Sequence, residues 1–250
     1  QVRRRLLQDL GREPLAEEIA ADVPILFGHD PAHDAWCHRL GITQMRELFA
    51  KGGLPRPWHA PLKALAESLG IIFLSTPFSV EAAQFLVEEI GVPALKIARG
   101  DLIFTPLLEY AASTTVPILL STGGATLDEI WTALHLLPRK TARSAWDLSH
   151  VVVLHCVSVY PCPEAYVNLE SLRTLYDDLK ERRLGLGPGA IGFSDHTLSV
   201  DIVPAVALAS GVCSVYEKHL RLDDDALSVD AAHSLTPGQF TRMVEVIRRV

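Results

Sequence analysis

Two histidines close two short apolar runs. His196 follows Ala190-Ile191-Gly192-Phe193-Ser194-Asp195, and His219 follows Val215-Tyr216-Glu217-Lys218. In a parallel sheet or barrel the carboxyl ends of the strands form the mouth where ligands bind, so imidazoles at two successive strand ends converge there. Neutral imidazole is a borderline-soft ligand suited to Mn, Fe, Co or Zn. The pair reads first as a catalytic metal site. Either histidine alone would read as a satisfied core residue; their matched placement favours ligation.

Further polar side chains end the other apolar runs: Ser75-Thr76, Lys96, Ser121-Thr122, and His155 followed by Ser158 and Tyr160. With Ser194-Asp195-His196 and Glu217-Lys218-His219, all are expected at one mouth. Lys96 within an apolar strand has few structural explanations, because unpaired buried lysine is rare. A lysine charge, several hydroxyls and two imidazoles suit a small phosphorylated anion beside a divalent metal. His155 is expected to hydrogen-bond within the fold instead of binding metal. Asp223-Asp224-Asp225 reads as a solvated loop, and His29, His33 and His38 as surface residues of a Pro- and Asp-rich stretch.

The elements that must position these residues alternate from about residue 70 onward. Strands are expected at 71–76, 94–98, 117–122, 151–157, 190–194 and 214–219. Helices are expected at 80–90, 105–112, 126–137, 169–183, 200–210 and 236–250. Thr126-Leu127-Asp128-Glu129 and Thr236-Pro237-Gly238-Gln239 are capping boxes, in which the hydroxyl and the third-position side chain each satisfy a free backbone N–H. The strand runs are almost continuously apolar, as parallel strands buried on both faces require. Six such units mean an α/β barrel or a doubly wound sheet. No glycine-rich dinucleotide fingerprint follows any strand, so the expectation is α/β, a (β/α)8 TIM-type barrel. Residues 1–70 break the rhythm and read as an atypical, mainly helical segment ahead of barrel units at 71–250.

Composition narrows the class further. The chain has 250 residues, 48% of them hydrophobic, enough for one substantial core. Lys and Arg total 23 against 30 Asp and Glu, a net charge of -7, with no dense basic stretch, so no nucleic-acid partner is expected. The apolar runs are too short to span a bilayer, and no membrane partner is expected. Cys37, Cys156, Cys162 and Cys213 form neither a C-x-x-C pair nor a disulfide framework, which points to the cytoplasm.

Six motifs occur in order: Phe73-Leu74-Ser75-Thr76-Pro77-Phe78, Leu95-Lys96-Ile97-Ala98, Leu120-Ser121-Thr122-Gly123, Leu154 to Pro161, Phe193-Ser194-Asp195-His196-Thr197 and Glu217-Lys218-His219. Together they resemble the sialic acid synthases, the N-acetylneuraminate synthase family with its legionaminate, pseudaminate and spore-coat relatives. The resemblance implies condensation of phosphoenolpyruvate with an N-acylated aldose of the N-acetylmannosamine type, using Mn²⁺ or Mg²⁺. It implies that His196 and His219 ligate the metal, and that Thr76, Lys96, Ser121 and Ser194 hold phosphoenolpyruvate. Ser158 and Tyr160 would line the sugar side, with Asp230 beside the metal or the sugar; Tyr160 and Asp230 are the expected catalytic pair. A homodimer is the assembly it suggests.

Some residues depart from that pattern. Residues 1–47 offer no counterpart of the family's first strand, which ends in glutamate, or of its second, which carries a phosphate-binding lysine. Arg99 replaces a small serine that contacts phosphate, and Leu227-Ser228-Val229 replaces Pro-Gly-Pro. These departures favour the rival expectation, a non-catalytic or degenerate barrel that binds a sugar or phosphate.

Overall fold

The computed structural model of the protein describes residues 53–139, 147–182, 185, 187, 189–222 and 230–250. The expectations for His29, His33, His38, Cys37 and Asp223 to Asp225 lie outside these residues. The chain divides between Pro93 and Ala94 into two compact units.

In the first unit, helix α1 (Arg56–Ser68) precedes helix α2 (Val80–Gln84), which widens into a π-helical turn over Phe85–Ile90. Ser79 caps α2 by accepting the Ala82 N–H, and Gly91, at φ 68°, ends the turn in the left-handed conformation that glycine tolerates best. The strand expected at 71–76 does not form. The Ile71 N–H bonds back to Ala66 O and closes α1, and the residues that follow join no ladder. Apolar composition makes a strand only where a neighbouring backbone supplies partners.

The second unit carries five parallel strands in sequence order: β1 (Leu95–Ile97), β2 (Ile118–Ser121), β3 (Val151–Cys156), β4 (Ile191–Asp195) and β5 (Cys213–Lys218). Each falls within about two residues of its expected bounds. Helices α3 (Thr105–Ser113), α4 (Leu127–Leu136), α5 (Glu170–Glu181) and α6 (Ile202–Ala209) connect them, and α7 (Pro237–Ile247) follows β5. Both capping boxes form, Thr126 with Glu129 and Thr236 with Gln239.

Period-two alternation splits every strand between two faces. Leu95, Ile97, Ile118, Leu120, Val151, Val153, Ile191 and Phe193 lie on one face and are all buried, with Leu107, Leu108, Leu134, Leu172 and Leu179 of the helices adding to the core. The register Lys96↔Leu119, Ser121↔Leu154↔Gly192 and Cys156↔Ser194↔Glu217 defines the opposite face. On that face Lys96 of β1 meets Glu217 of β5 at 3.1 Å. In a flat sheet the first and fifth strands stand about 19 Å apart, at roughly 4.8 Å per step. The sheet therefore curls, and its second face is the concave one.

Alternation also corrects one expectation. The polar residues at the strand ends do not all share one mouth. Asp195 and Lys218 lie on the convex side, with side chains 0% and 1% exposed, and pair at 2.5 Å. His155 also faces that way, bonding Val167 O at 3.0 Å and stacking on Phe193, as a structural histidine should.

Candidate active site and metal centre

The concave face gathers a compact polar chain. Lys96 Nζ lies 3.1 Å from Glu217 Oε2 and 3.3 Å from Oε1, and the Ser194 hydroxyl donates to Oε1 at 2.5 Å. Burial alone would raise the Glu217 carboxyl. Lys96 and the Ser194 donor outweigh it and hold the group below the usual carboxylate range. Ser121 is buried on the same face, two residues beyond the partner of Lys96.

Ser194 Oγ leads to the first imidazole, 3.4 Å from His196 Nε2. His196 donates its Nδ1–H to Val157 O at 2.8 Å, which fixes the tautomer and leaves the Nε2 lone pair free for a ligand. Burial lowers the pKa of His196, so the ring is neutral at pH 7. Tyr160 packs against it at 4.3 Å between centroids, and the Ser158 hydroxyl hydrogen-bonds Tyr160.

The second imidazole follows β5. His219 Nδ1 lies 3.5 Å from Asp230 Oδ2, and its ring centroid is 5.5 Å from that of His196. Asp230 is also approached by His233, whose Nε2 is 3.4 Å from Oδ1. Hydrogen bonding to His219 holds the Asp230 carboxyl below its ordinary value, against the effect of burial. One donor atom each from His219, Asp230 and His233 lie within 4.8 Å of one another, the one such group among the described residues. Two imidazoles with fixed tautomers or carboxylate partners, and an ionised carboxylate between them, suit a divalent cation of the borderline class.

Of the residues singled out from sequence, Lys96, Ser121, Ser194, His196, His219, Ser158, Tyr160 and Asp230 all lie in this second unit. Two chains of contacts link most of them, Lys96–Glu217–Ser194–His196 and His219–Asp230–His233. Thr76 belongs to the first unit, half-buried in the irregular stretch before Pro77. Arg99 is exposed, and its guanidinium donates to the carbonyls of Gly123 and Gly124, the turn after β2. Glu217 was expected at the mouth but given no role, and His233 was not singled out. Alternation from His219 back through Glu217 to Val215 was the signal for the first, and the Asp230-x-x-His233 spacing the signal for the second. Cys156, Cys162 and Cys213 are free and buried, and burial raises all three thiols, as inert core cysteines require.

Parallel strands alternating with helices, curled so that strand ends meet over a polar concave face, define an α/β protein of the (β/α) barrel type. Residues 31–250 match the model of the NeuB family, and the chain belongs to that family. It is 36% identical over 190 residues to the N,N'-diacetyllegionaminic acid synthase of Legionella pneumophila, covering 76% of this chain and 50% of that one. Pseudaminic acid synthase of Helicobacter pylori is 34% identical over 203 residues, covering 81% and 55%. Among solved structures, the N-acetylneuraminic acid (sialic acid) synthetase of Leptospira borgpetersenii in complex with citrate superposes with a TM-score of 0.70 at 32% identity, covering 86% of this chain and 69% of that one. The chain spans about half the length of the curated relatives it matches. Among the described residues no helix is long and apolar enough to cross a membrane.

Proposed function

We propose that this chain supplies the catalytic barrel of a synthase that condenses phosphoenolpyruvate with an N-acylated aldose, forming a sialic or related nonulosonic acid and releasing phosphate. The observation that carries the reading is the juxtaposition of an ion-paired, hydrogen-bonded chain, Lys96–Glu217–Ser194, with the imidazoles and carboxylate of His196, His219 and Asp230. Membership of a family whose relatives are named as synthases of such acids supports it.

The division of labour we infer is the one the family resemblance implies, and the contacts on the concave face support it. Lys96 is the cation for the phosphate or carboxylate of phosphoenolpyruvate, with the hydroxyls of Ser121 and Ser194 as donors beside it. Glu217 keeps Lys96 and Ser194 aligned by bonding both. His196, His219 and Asp230 would hold a divalent metal, Mn²⁺ or Mg²⁺, which would supply Lewis-acid polarisation of the open-chain sugar's aldehyde. Tyr160, packed against His196, and Ser158, linked to Tyr160, line the sugar side. Asp230, already ionised, accepts hydrogen bonds from the substrate or from His219. The buried free thiols fit a reducing, cytoplasmic setting.

The deciding experiment follows inorganic phosphate released from phosphoenolpyruvate by the full-length protein. Release that requires both N-acetylmannosamine, or a diacetylated analogue, and a divalent metal is expected. Tight binding of phosphoenolpyruvate without release under any of these conditions refutes the synthase reading and leaves a degenerate binding barrel.

A further inference from the structure

His233 lies outside every strand end, yet its side chain is 6% exposed and its Nε2 is buried with no hydrogen-bond partner. An imidazole nitrogen taken out of water normally finds a donor or acceptor, so an orphan aimed at a carboxylate and a second imidazole calls for a reason. The backbone holds it there deliberately. A 3₁₀ turn, Ala231–His233, sets His233 one turn after Asp230, and the Ser234 hydroxyl donates to Asp230 O at 2.5 Å. Beyond it, Leu235 N–H bonds His219 O and Arg221 N–H bonds Leu235 O, so the turn is laced to the chain leaving β5. His219 and His233 come to 4.5 Å between ring centroids.

The spacing of the donors has chemical content. Two ligands bound to one ion at about 2.1 Å stand roughly 3.0–3.4 Å apart in octahedral or tetrahedral geometry. His233 Nε2 lies 3.4 Å from Asp230 Oδ1, and His219 Nδ1 lies 3.5 Å from Asp230 Oδ2. His219 also hydrogen-bonds Asp230, whereas His233 Nε2 is buried at this spacing without a hydrogen bond, so it is the nitrogen whose placement an ion would explain.

We propose that His233 is a further nitrogen ligand of the metal centre and that it selects the ion. This rests on the reading of His196 and His219 as metal ligands. With His233 the group within 4.8 Å offers two imidazoles and one carboxylate, with the His196 ring 5.5 Å from that of His219, and such a nitrogen-rich set prefers Co²⁺, Zn²⁺, Fe²⁺ or Mn²⁺ to Mg²⁺, which favours oxygen and water. An oxygen-poorer centre is the consequence, not a stronger one for every ion.

The test is Co²⁺ binding by the metal-stripped full-length protein, followed by visible absorption and calorimetry, with Mg²⁺ titrated in parallel. His233→Ala is compared with His233→Phe, which keeps a ring in the buried slot and removes only the nitrogens. Both variants are expected to weaken Co²⁺ by at least the ~10–100-fold that loss of an outer-shell partner costs, to shift the ligand-field bands, and to leave Mg²⁺ affinity within about 2-fold. X-ray absorption should count one nitrogen fewer. Unchanged Co²⁺ affinity and bands in a folded His233→Phe protein, with binding still lost in His219→Ala, overturn the role of His233 alone. Co²⁺ binding that survives His196→Ala/His219→Ala, or that is absent from the wild-type protein, overturns the metal-centre reading and this inference with it.

Discussion

Replacing Lys218 by Met isolates the energetic work of the buried pair behind the site. Asp195 and Lys218 have side chains 0% and 1% exposed, so neither charge can recover hydration if its partner is removed. The Asp195 carboxylate accepts from Lys218 Nζ at 2.5 Å, Tyr216 Oη at 2.6 Å, Thr197 N at 2.8 Å and Thr197 Oγ1 at 3.1 Å. Burial and the adjacent carboxylate push the Tyr216 phenol upward, which keeps it a donor. Lys218→Met leaves a buried carboxylate with three neutral donors and strands Thr197 O, which had accepted from Lys218 at 2.5 Å. Breaking one side of such a pair costs about 3–5 kcal/mol. At roughly 2–4 °C per kcal/mol for a chain of this size, the melting temperature should fall by ~6–20 °C.

The cycle Asp195→Asn, Lys218→Met and the double variant separates pairing from packing. Asn keeps one acceptor oxygen, which in the Oδ2 position still serves Tyr216 and Thr197 Oγ1 and gives up only the Thr197 N–H contact, so the double variant removes both charges and strands no charged group. Urea unfolding should find it less destabilised than the Lys218→Met single variant, with a coupling of at least ~2 kcal/mol between contacting charges. Single variants that each cost under ~1 kcal/mol and add in the double would refute the argument. The pair would then be worth no more than an exposed ion pair.

Other outcomes follow from the same geometry. Lys96→Met removes a charge-assisted contact of about 1.5–3 kcal/mol, so phosphoenolpyruvate KM should rise at least ~10-fold while the aldose KM stays within ~3-fold; an equal rise in both would place Lys96 elsewhere. In Gly192→Ala the new Cβ would stand 2.4 Å from Leu154 Cδ2 and 2.8 Å from Val215 O, and a backbone neighbour cannot yield cheaply. A loss of ~1–3 kcal/mol in urea unfolding is expected, and a change under ~0.5 would show that β4 and β5 can part at no cost. Burial, aided by Arg139, lowers His150 from 6.5 to about 4. The unfolded chain therefore takes up its proton first on acidification, and stability should fall as pH drops from 6.5 to about 4. His150→Phe should flatten that fall; a urea midpoint that rises toward pH 5 would contradict the sign. Thr236→Ala loses a capping box with Gln239 and should cost about 1 kcal/mol.

Much of this was legible in the chain because it is written locally. Continuous apolar runs gave β1 to β5, and Thr126-x-x-Glu129 and Thr236-x-x-Gln239 marked two helix starts, because a hydroxyl and a third-position side chain satisfy the same backbone groups in any context. Ile71 to Thr76 has equal strand composition and failed, since a ladder depends on what lies alongside and α1 claims the Ile71 N–H. The site was half legible. His196, His219 and Lys96 announced themselves as polar residues where apolar ones were due. His233 did not, because it sits on a short turn with no periodicity to violate, and only the folding of Asp230 toward His219 brings it to the centre.

The triplets Ser194-Asp195-His196 and Glu217-Lys218-His219 carry one design twice. Pleating sends the first and third residue of each to the concave face and the middle one to the convex face. Ser194, Glu217, His196 and His219 thus supply donors and ligands, while Asp195 and Lys218 pair behind them. The register sets Ser194 against Glu217 and Asp195 against Lys218, so the front contact and the rear ion pair close on adjacent rungs of one ladder. A buried ion pair need not make the protein more stable than an apolar pair of equal volume would. Here it fixes the register of two strand ends, since a one-residue slip would turn Lys218 into the site and Glu217 into the core. Specification of that register, more than stability, is the physical account of why two charges are buried directly behind the side chains that would do the chemistry.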